Sequence, residues 1–369
     1  MRFARRDGQG PSHLAVSPDV ARFCGHRKKN PHPPPEYQGR ARVKCHGPWA
    51  MALRDGLLRA GVLLTTMVVA TAPGAAAAIP PDKQIPASVV RTISAPADNP
   101  LVMPTDVAID PKGAVYIADG VNDRIVCLGP DGQLKSELRG PADSPLSRPV
   151  AVALDAAGAV WIADTGNQRL LVLAPDAGNY RAIDLPPGIN NKPANPTGLA
   201  VRSDGAKTYL ADCDNHRVLV LDNARQQWTA LGAWGTALGQ FRWPFMLAIG
   251  ADNYVQVTES VGARVQQISP DNLWAGQMGR FGVALGDLHR PKGVAVDSAG
   301  RIFVGDSTLG VIQVFSPRGS IRGVLSDDAG LPLRLQHPMG MRFDAKGLLY
   351  VVELAANRVA VITLKAPNP

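Results

Sequence analysis

The sequence predicts an all-β fold, a six-bladed β-propeller of four-stranded antiparallel blades closed by an N-terminal strand in the last blade. Three observations predict it. A proline followed by a short apolar run recurs at Pro104, Pro149, Pro196, Pro244, Pro291 and Pro338, at intervals of 45, 47, 48, 47 and 47 residues. Within each interval, apolar runs alternate with Gly, Asp and Asn turn signals, as antiparallel meanders do. The chain also has 37 Gly and 32 Pro, only 5% aromatics, and Val, Ile and Leu spread evenly, which suits many short strands and many turns.

Ahead of the repeats lies a leader. Residues 1–50 are rich in Pro, Arg and His and have no periodicity, so they read as a disordered or spurious N-terminal extension. Cys24, His26, His32, Cys45 and His46 have the chemistry of a zinc site. A signal peptide should open a chain, however, and the stretch 51–78 reads as one. It carries Arg54 and Arg59, an apolar core near residues 60–72, a Pro73-Gly74 break and small residues Ala76 and Ala78 before Ile79. Its apolar core is too short to span a bilayer. The expectation is a protein exported to the cell envelope or beyond, not membrane-spanning after cleavage.

The net charge of +8 is confined to that leader. Residues 1–78 hold 12 Lys/Arg against 4 Asp/Glu, and residues 79–369 hold 27 of each. A neutral domain has no electrostatic footprint for nucleic acid, so that class of partner is excluded.

The mature region, 79–369, divides into units near 101–145, 146–192, 193–240, 241–287, 288–334 and 335–369, the last completed by 87–94. The first strand of each unit follows its proline, in DVAID, AVALD, GLAVR, MLAIG, GVAVD and GMRFD. Nine residues after the proline comes a turn residue: Gly113, Gly158, Gly205, Asn253, Gly300 or Gly347. The second strand then ends in an acid: Asp119, Asp164, Asp212, Glu259, Asp306 or Glu353. Five residues on, an arginine opens the third strand: Arg124, Arg169, Arg217, Arg264 and Arg358, with Val311 the exception. A looser fourth run completes units 1 to 5, whereas unit 6 ends too soon after RVAVITL to have one. The β-prone run at 87–94 is therefore expected to pair antiparallel with about 358–364, because an open edge would leave backbone groups unpaired.

The polar residues sort into two groups. Asp119 with Asn122 and Arg124 recurs as Asp164, Asn167 and Arg169, as Asp212, Asn215 and Arg217, and in part as Glu259 and Arg264. A feature common to nearly every unit is architecture: the carboxylate and guanidinium brace the loop with charge-assisted hydrogen bonds. The residues flanking each proline vary instead, as a binding surface requires. Arg148, Arg242, Trp243, Phe245, His289, Arg290, Lys292 and His337 make one half of that face basic and aromatic. Such a half suits a protein, a glycan or a small anionic ligand. Cys127 and Cys213 fall in units that are not neighbours, so no disulfide is expected between them.

LGQFRWPFMLAIG, LGDLHRPKGVAVDSAGRIFVGD and AVWIADTGNQRLLVL resemble the NHL repeat family, over roughly residues 100–363. The resemblance implies a propeller, of which some kin are sensor modules outside bacterial membranes and others are metal-dependent hydrolases or lyases. The hydrolases need several carboxylates at the channel mouth to hold a hard cation. Here Asp106 alone offers one, with Thr, Val, Phe, Lys and Met at the remaining places. The lyases use channel histidines, and the mature chain has only His216, His289 and His337. No nucleophile elbow or phosphate loop is visible, and no cofactor or metal is implied. The expectation is a non-catalytic binding or scaffolding protein, with a metal-dependent lyase or lactonase-type hydrolase as the alternative.

Overall fold

The structure is a computed structural model that describes residues 79–175 and 178–365. The expected extension at 1–50 and signal peptide at 51–78 lie outside the described residues. Strand β1 is Gln84–Ile93. Unit 1 supplies β2 (Asp106–Ile109), β3 (Val115–Asp119), β4 (Arg124–Leu128) and β5 (Leu134–Leu138). Unit 2 supplies β6 (Pro149–Leu154), β7 (Val160–Asp164), β8 (Arg169–Leu173) and β9 (Tyr180–Asp184). Unit 3 supplies β10 (Pro196–Val201), β11 (Lys207–Asp212), β12 (Arg217–Asp222) and β13 (Gln227–Leu231). Unit 4 supplies β14 (Pro244–Ile249), β15 (Val255–Glu259), β16 (Arg264–Ile268) and β17 (Trp274–Met278). Unit 5 supplies β18 (Pro291–Val296), β19 (Ile302–Asp306), β20 (Val311–Phe315) and β21 (Ile321–Ser326). Unit 6 supplies β22 (Pro338–Phe343), β23 (Leu349–Glu353) and β24 (Arg358–Leu364).

Each of units 1 to 4 forms its own four-stranded antiparallel sheet in chain order. The residue nine after each proline turns the first hairpin in the left-handed region, with φ from 62° at Asn253 to 87° at Gly113. Asn tolerates that region better than other side chains do, which is why unit 4 manages without glycine.

The sheets stack face to face. One apolar cluster joins Ala108, Ala118 and Ile125 in unit 1 to Val152, Ile162 and Leu171 in unit 2. Another joins Ala151, Trp161 and Leu170 to Leu199, Leu210 and Leu219 in unit 3. A strand buried on both faces reads as a continuous apolar run, and β7 and β23 are buried along their whole length. The first strands β2, β6, β10, β14, β18 and β22 touch one another in cyclic order, so they enclose a channel.

Units 5 and 6 share one eight-stranded sheet, ordered β18-β19-β20-β21-β1-β24-β23-β22. Strand β1 joins them. Its first residues, Gln84 to Pro86, pair parallel with Val324 to Ser326 of β21. From Ala87 onward it pairs antiparallel with β24, Ala87 opposite Leu364 and Ile93 opposite Val359, across a register shift between Val89 and Arg91. Ala87 and Ile93 are buried in this arrangement.

Removing residues 79–93 would strip β24 of its neighbour and expose that buried edge. Such a deletion is expected to destabilise the domain by several kcal/mol, read as a large fall in Tm. An unchanged Tm would contradict the pairing.

Candidate functional site

The channel has two mouths, and different residues build them. At the mouth where the first strands begin, the acid that ends each second strand fixes the chain entering its own unit. Asp119 accepts from the N–H of Val102, Asp164 from Ser147, Asp212 from Asn195 and Glu259 from Arg242. Asp306 and Glu353 do the same with His289 and Gln336. The arginine five residues on pairs with the acid, at 2.8 Å for Arg124 and 2.7 Å for Arg169 and Arg217. It also donates to carbonyls of the entering segment: Pro100 from Arg124, Ser144 from Arg169, Pro186 from Arg217 and Gln240 from Arg264. In unit 5, where Val311 replaces the arginine, Asp306 instead takes the N–H groups of Thr308 and Leu309, and Gly310 adopts the left-handed turn.

The variable residues ride on this frame. Backbone N–H groups of the loop after the second strand donate to the carbonyls of Trp243, Arg290 and His337. Met103, Arg148, Trp243 and His337 are held in the left-handed region, a strained state for residues with side chains. The N–H of Arg148 donates to Asp123 and that of Trp243 to His216 Nδ1, each on the preceding unit. Burial, helped by the charge of Lys192, lowers the His216 pKa, so the imidazole stays neutral and its nitrogen accepts. Its ring meets the Trp243 indole edge-on at 4.7 Å.

The eight candidate residues therefore part company. Arg148, Arg290 and His337 are exposed, and Arg242, Trp243 and His289 are half-buried. Phe245 and Lys292 are buried, with the ammonium 3.8 Å from the ring centre, and so form channel wall rather than open rim. Burial depresses the Lys292 ammonium to about 7 and pushes the nearby Cys213 thiol up to about 12. Cys127 and Cys213 are both free and buried.

Trp234 and Phe281 were not singled out by sequence. They occupy equivalent places in the connections entering units 4 and 5, and they are 65% and 71% exposed. Phe281 lies 5.2 Å from the His289 ring. Their signal was present in the similar segments GAWGTALGQF and GRFGVALGDL, where each aromatic stands seven residues before the Phe241 or Leu288 that precedes the proline.

The opposite mouth holds a cavity of about 240 Å³, lined by the ends of the six first strands. Ala108, Ala153, Ala200, Ala248 and Ala295 stand at one level, and Arg342 takes the place of the sixth alanine. Arg342 reaches across the channel and donates to the carbonyls of Leu199 at 3.0 Å and Leu247 at 3.3 Å. Its guanidinium stands 3.9 Å from the Asp106 carboxylate. Asp106 also corrects the sequence alignment. It pairs with Ala118, as Ala151 does with Ala163 and Gly198 with Ala211, so it lies one residue deeper than Val150, Thr197, Phe245, Lys292 and Met339. Asp106 is fully buried, and one oxygen accepts from the Val152 N–H. The other takes no hydrogen bond among the described residues and fills the space that a side chain on Gly340 would need. Burial pushes the Asp106 pKa up to about 6, against the charge of Arg342 and the N–H groups of Val107 and Val152. Among the described residues, no group of three or more His, Cys, Asp or Glu is placed to hold a metal ion.

Two comparisons bear on this architecture. A streptogramin B lyase superposes with a TM-score of 0.57 at 13% identity, over 74% of this chain and 98% of that one. The NHL repeat family matches residues 146–173, the segment from the entry of unit 2 through β8. The chain carries an NHL repeat in unit 2 and has the fold of a β-propeller.

Other propellers superpose on it about as well. A Xanthomonas campestris gluconolactonase gives a TM-score of 0.56 at 14% identity, over 75% of this chain and 99% of its own. An auxiliary nutrient binding protein from Bacteroides thetaiotaomicron gives 0.56 at 14% identity, over 75% and 74%. At such identities the likeness is one of fold. No curated protein matches the chain.

Two predictions follow from the buried charges. Arg124→Ala leaves the Asp119 carboxylate buried without its cation and is expected to cost about 3–5 kcal/mol. Arg358→Ala should cost less, because the Arg358 side chain is 37% exposed and its removal lets water reach the Glu353 carboxylate. Equal losses of Tm in the two variants would contradict this.

The second concerns pH. Asp106 is protonated more readily folded than unfolded, so its contribution is full below about 4 and lost as pH rises through about 6. Asp106→Asn should match the parent near pH 4 and exceed it at pH 8, by about 2–3 kcal/mol. Parallel Tm profiles would contradict the assignment.

Proposed function

We propose that this NHL propeller is an exported, non-catalytic binding protein with six blades, units 5 and 6 being two blades joined through β1. It captures its partner on the rim of units 4 to 6. The observation that carries this reading is the exposure of Trp234 and Phe281, at 65% and 71%, on consecutive connections. Large aromatics left open to water at repeated positions mark interaction surfaces. Arg242 and Arg290 stand on the same connections, and His289 backs Phe281, so the patch joins apolar area to positive charge. A protein, a glycan or a small anionic ligand has the matching chemistry. Export rests on the signal-like stretch 51–78. No helix among the described residues is long and apolar enough to cross a membrane.

A second reading is a metal-dependent lyase or lactonase-type hydrolase, favoured by the likeness to a streptogramin B lyase and a gluconolactonase. Metal analysis of the purified protein separates the two. Stoichiometric zinc or calcium would favour the enzyme.

The binding reading has a direct test. Envelope proteins and glycans captured by the parent should be lost at least tenfold by a Trp234→Ala/Phe281→Ala variant, with Tm moving by about 2 °C or less. Capture equal to the parent's would refute the assignment of the rim, and a large fall in Tm would make these packing residues.

A further inference from the structure

The cavity at the far mouth is not part of that rim. We infer that it binds a small monocarboxylate, whose carboxylate meets the Arg342 guanidinium while its apolar part lies against Ile109, Leu154, Val201, Ile249 and Val296.

The argument starts from the break in the repeat. Five units place alanine at this level and one places arginine, so a single positive charge stands in an otherwise uncharged ring. Packing alone does not call for it. The guanidinium has five N–H groups, and its bonds here go to the neutral carbonyls of Leu199, Leu247 and Met341. Carbonyls satisfy donors but do not cancel charge. The one nearby carboxylate, on Asp106, stands at 3.9 Å, beyond hydrogen-bond reach. The side chain of Arg342 keeps 22% of its surface open.

The surroundings select the ligand. Each first strand is the edge of its sheet, so alternate backbone N–H groups face the channel and can complete an anion's shell. Ile109, Leu154, Val201, Ile249, Val296 and Phe343 are all half-buried at the rim and cover an aliphatic or aromatic tail. A volume of about 240 Å³ falls below the ~300–1,000 Å³ of drug-sized sites, so the ligand is small. A dianion such as phosphate would bring a second negative charge that one guanidinium, already near Asp106, does not balance. A bidentate carboxylate on a guanidinium is the geometry that fits.

Isothermal titration of the full chain with acetate, butyrate, hexanoate and benzoate tests this, with hexanol and inorganic phosphate as controls. Saturable binding is expected for at least one carboxylate, at least tenfold tighter than for either control. Arg342→Met, which keeps the bulk and removes the charge, should weaken it at least tenfold. Asp106→Asn removes the competing carboxylate and should tighten it about threefold or more, which decides the matter if Arg342→Met does not fold. The Trp234→Ala/Phe281→Ala variant should bind as the parent does, so this result stands apart from the fate of the rim. No saturable binding by the parent, phosphate binding as tight as carboxylate, unchanged affinity in Arg342→Met, or unchanged or weaker affinity in Asp106→Asn would each overturn the inference.

Discussion

The buried acid at the end of each second strand is the interaction on which the remaining architecture depends. It accepts from the N–H seventeen residues before it and so fixes where the chain enters the unit. That contact sets the register of the first strand, and through it the wall of the channel. Burying a carboxylate is costly unless donors surround it, and each unit meets the cost in its own way. Arg124 is fully buried against Asp119 and also reaches Glu137, whereas Asp306 relies on backbone N–H groups alone. The acid is kept in all six units and the arginine in five, so the constraint is the carboxylate's need for donors rather than the ion pair itself.

Crowding where the first strands begin has a second effect. Neighbouring units touch there through backbone carbonyls, and Gly198 and Gly293 face the carbonyls of Phe245 and Met339 with no room for a side chain. Thr105 and Thr197 use their hydroxyls to bond the next unit, to Val150 and Phe245. Two residues further along the first strands than those glycines, the five alanines and Arg342 line the cavity.

Much of this was legible in the sequence because the repeat is nearly periodic. The prolines mark the first strands, the turn residue nine places on carries a positive φ in every unit, and the unpaired end of unit 6 pointed to a partner near residue 90. What escaped were departures from periodicity whose meaning depends on a neighbouring unit. Arg342 sat in plain view in GMRFD, yet an arginine in a short apolar run says nothing of the channel it crosses. Asp106 was placed one residue too shallow, beside residues that directly follow their prolines, whereas it stands two after Pro104 and pairs as Ala151 and Gly198 do. Phe245 and Lys292 read as rim residues, but their strand turns them into the wall.

Strand β1 carries a consequence for the order of events in folding. It is the first described strand to leave the ribosome, and its antiparallel partner, β24, is the last. Contacts so distant in sequence form late, after intervening chain has been organised. The sheets of units 1 to 4 use only local hairpins and are free to form as they emerge. Units 5 and 6 cannot be finished until both ends of the domain are present. The ring therefore stays unlatched throughout synthesis, and its final clasp closes only when the last strand has been made.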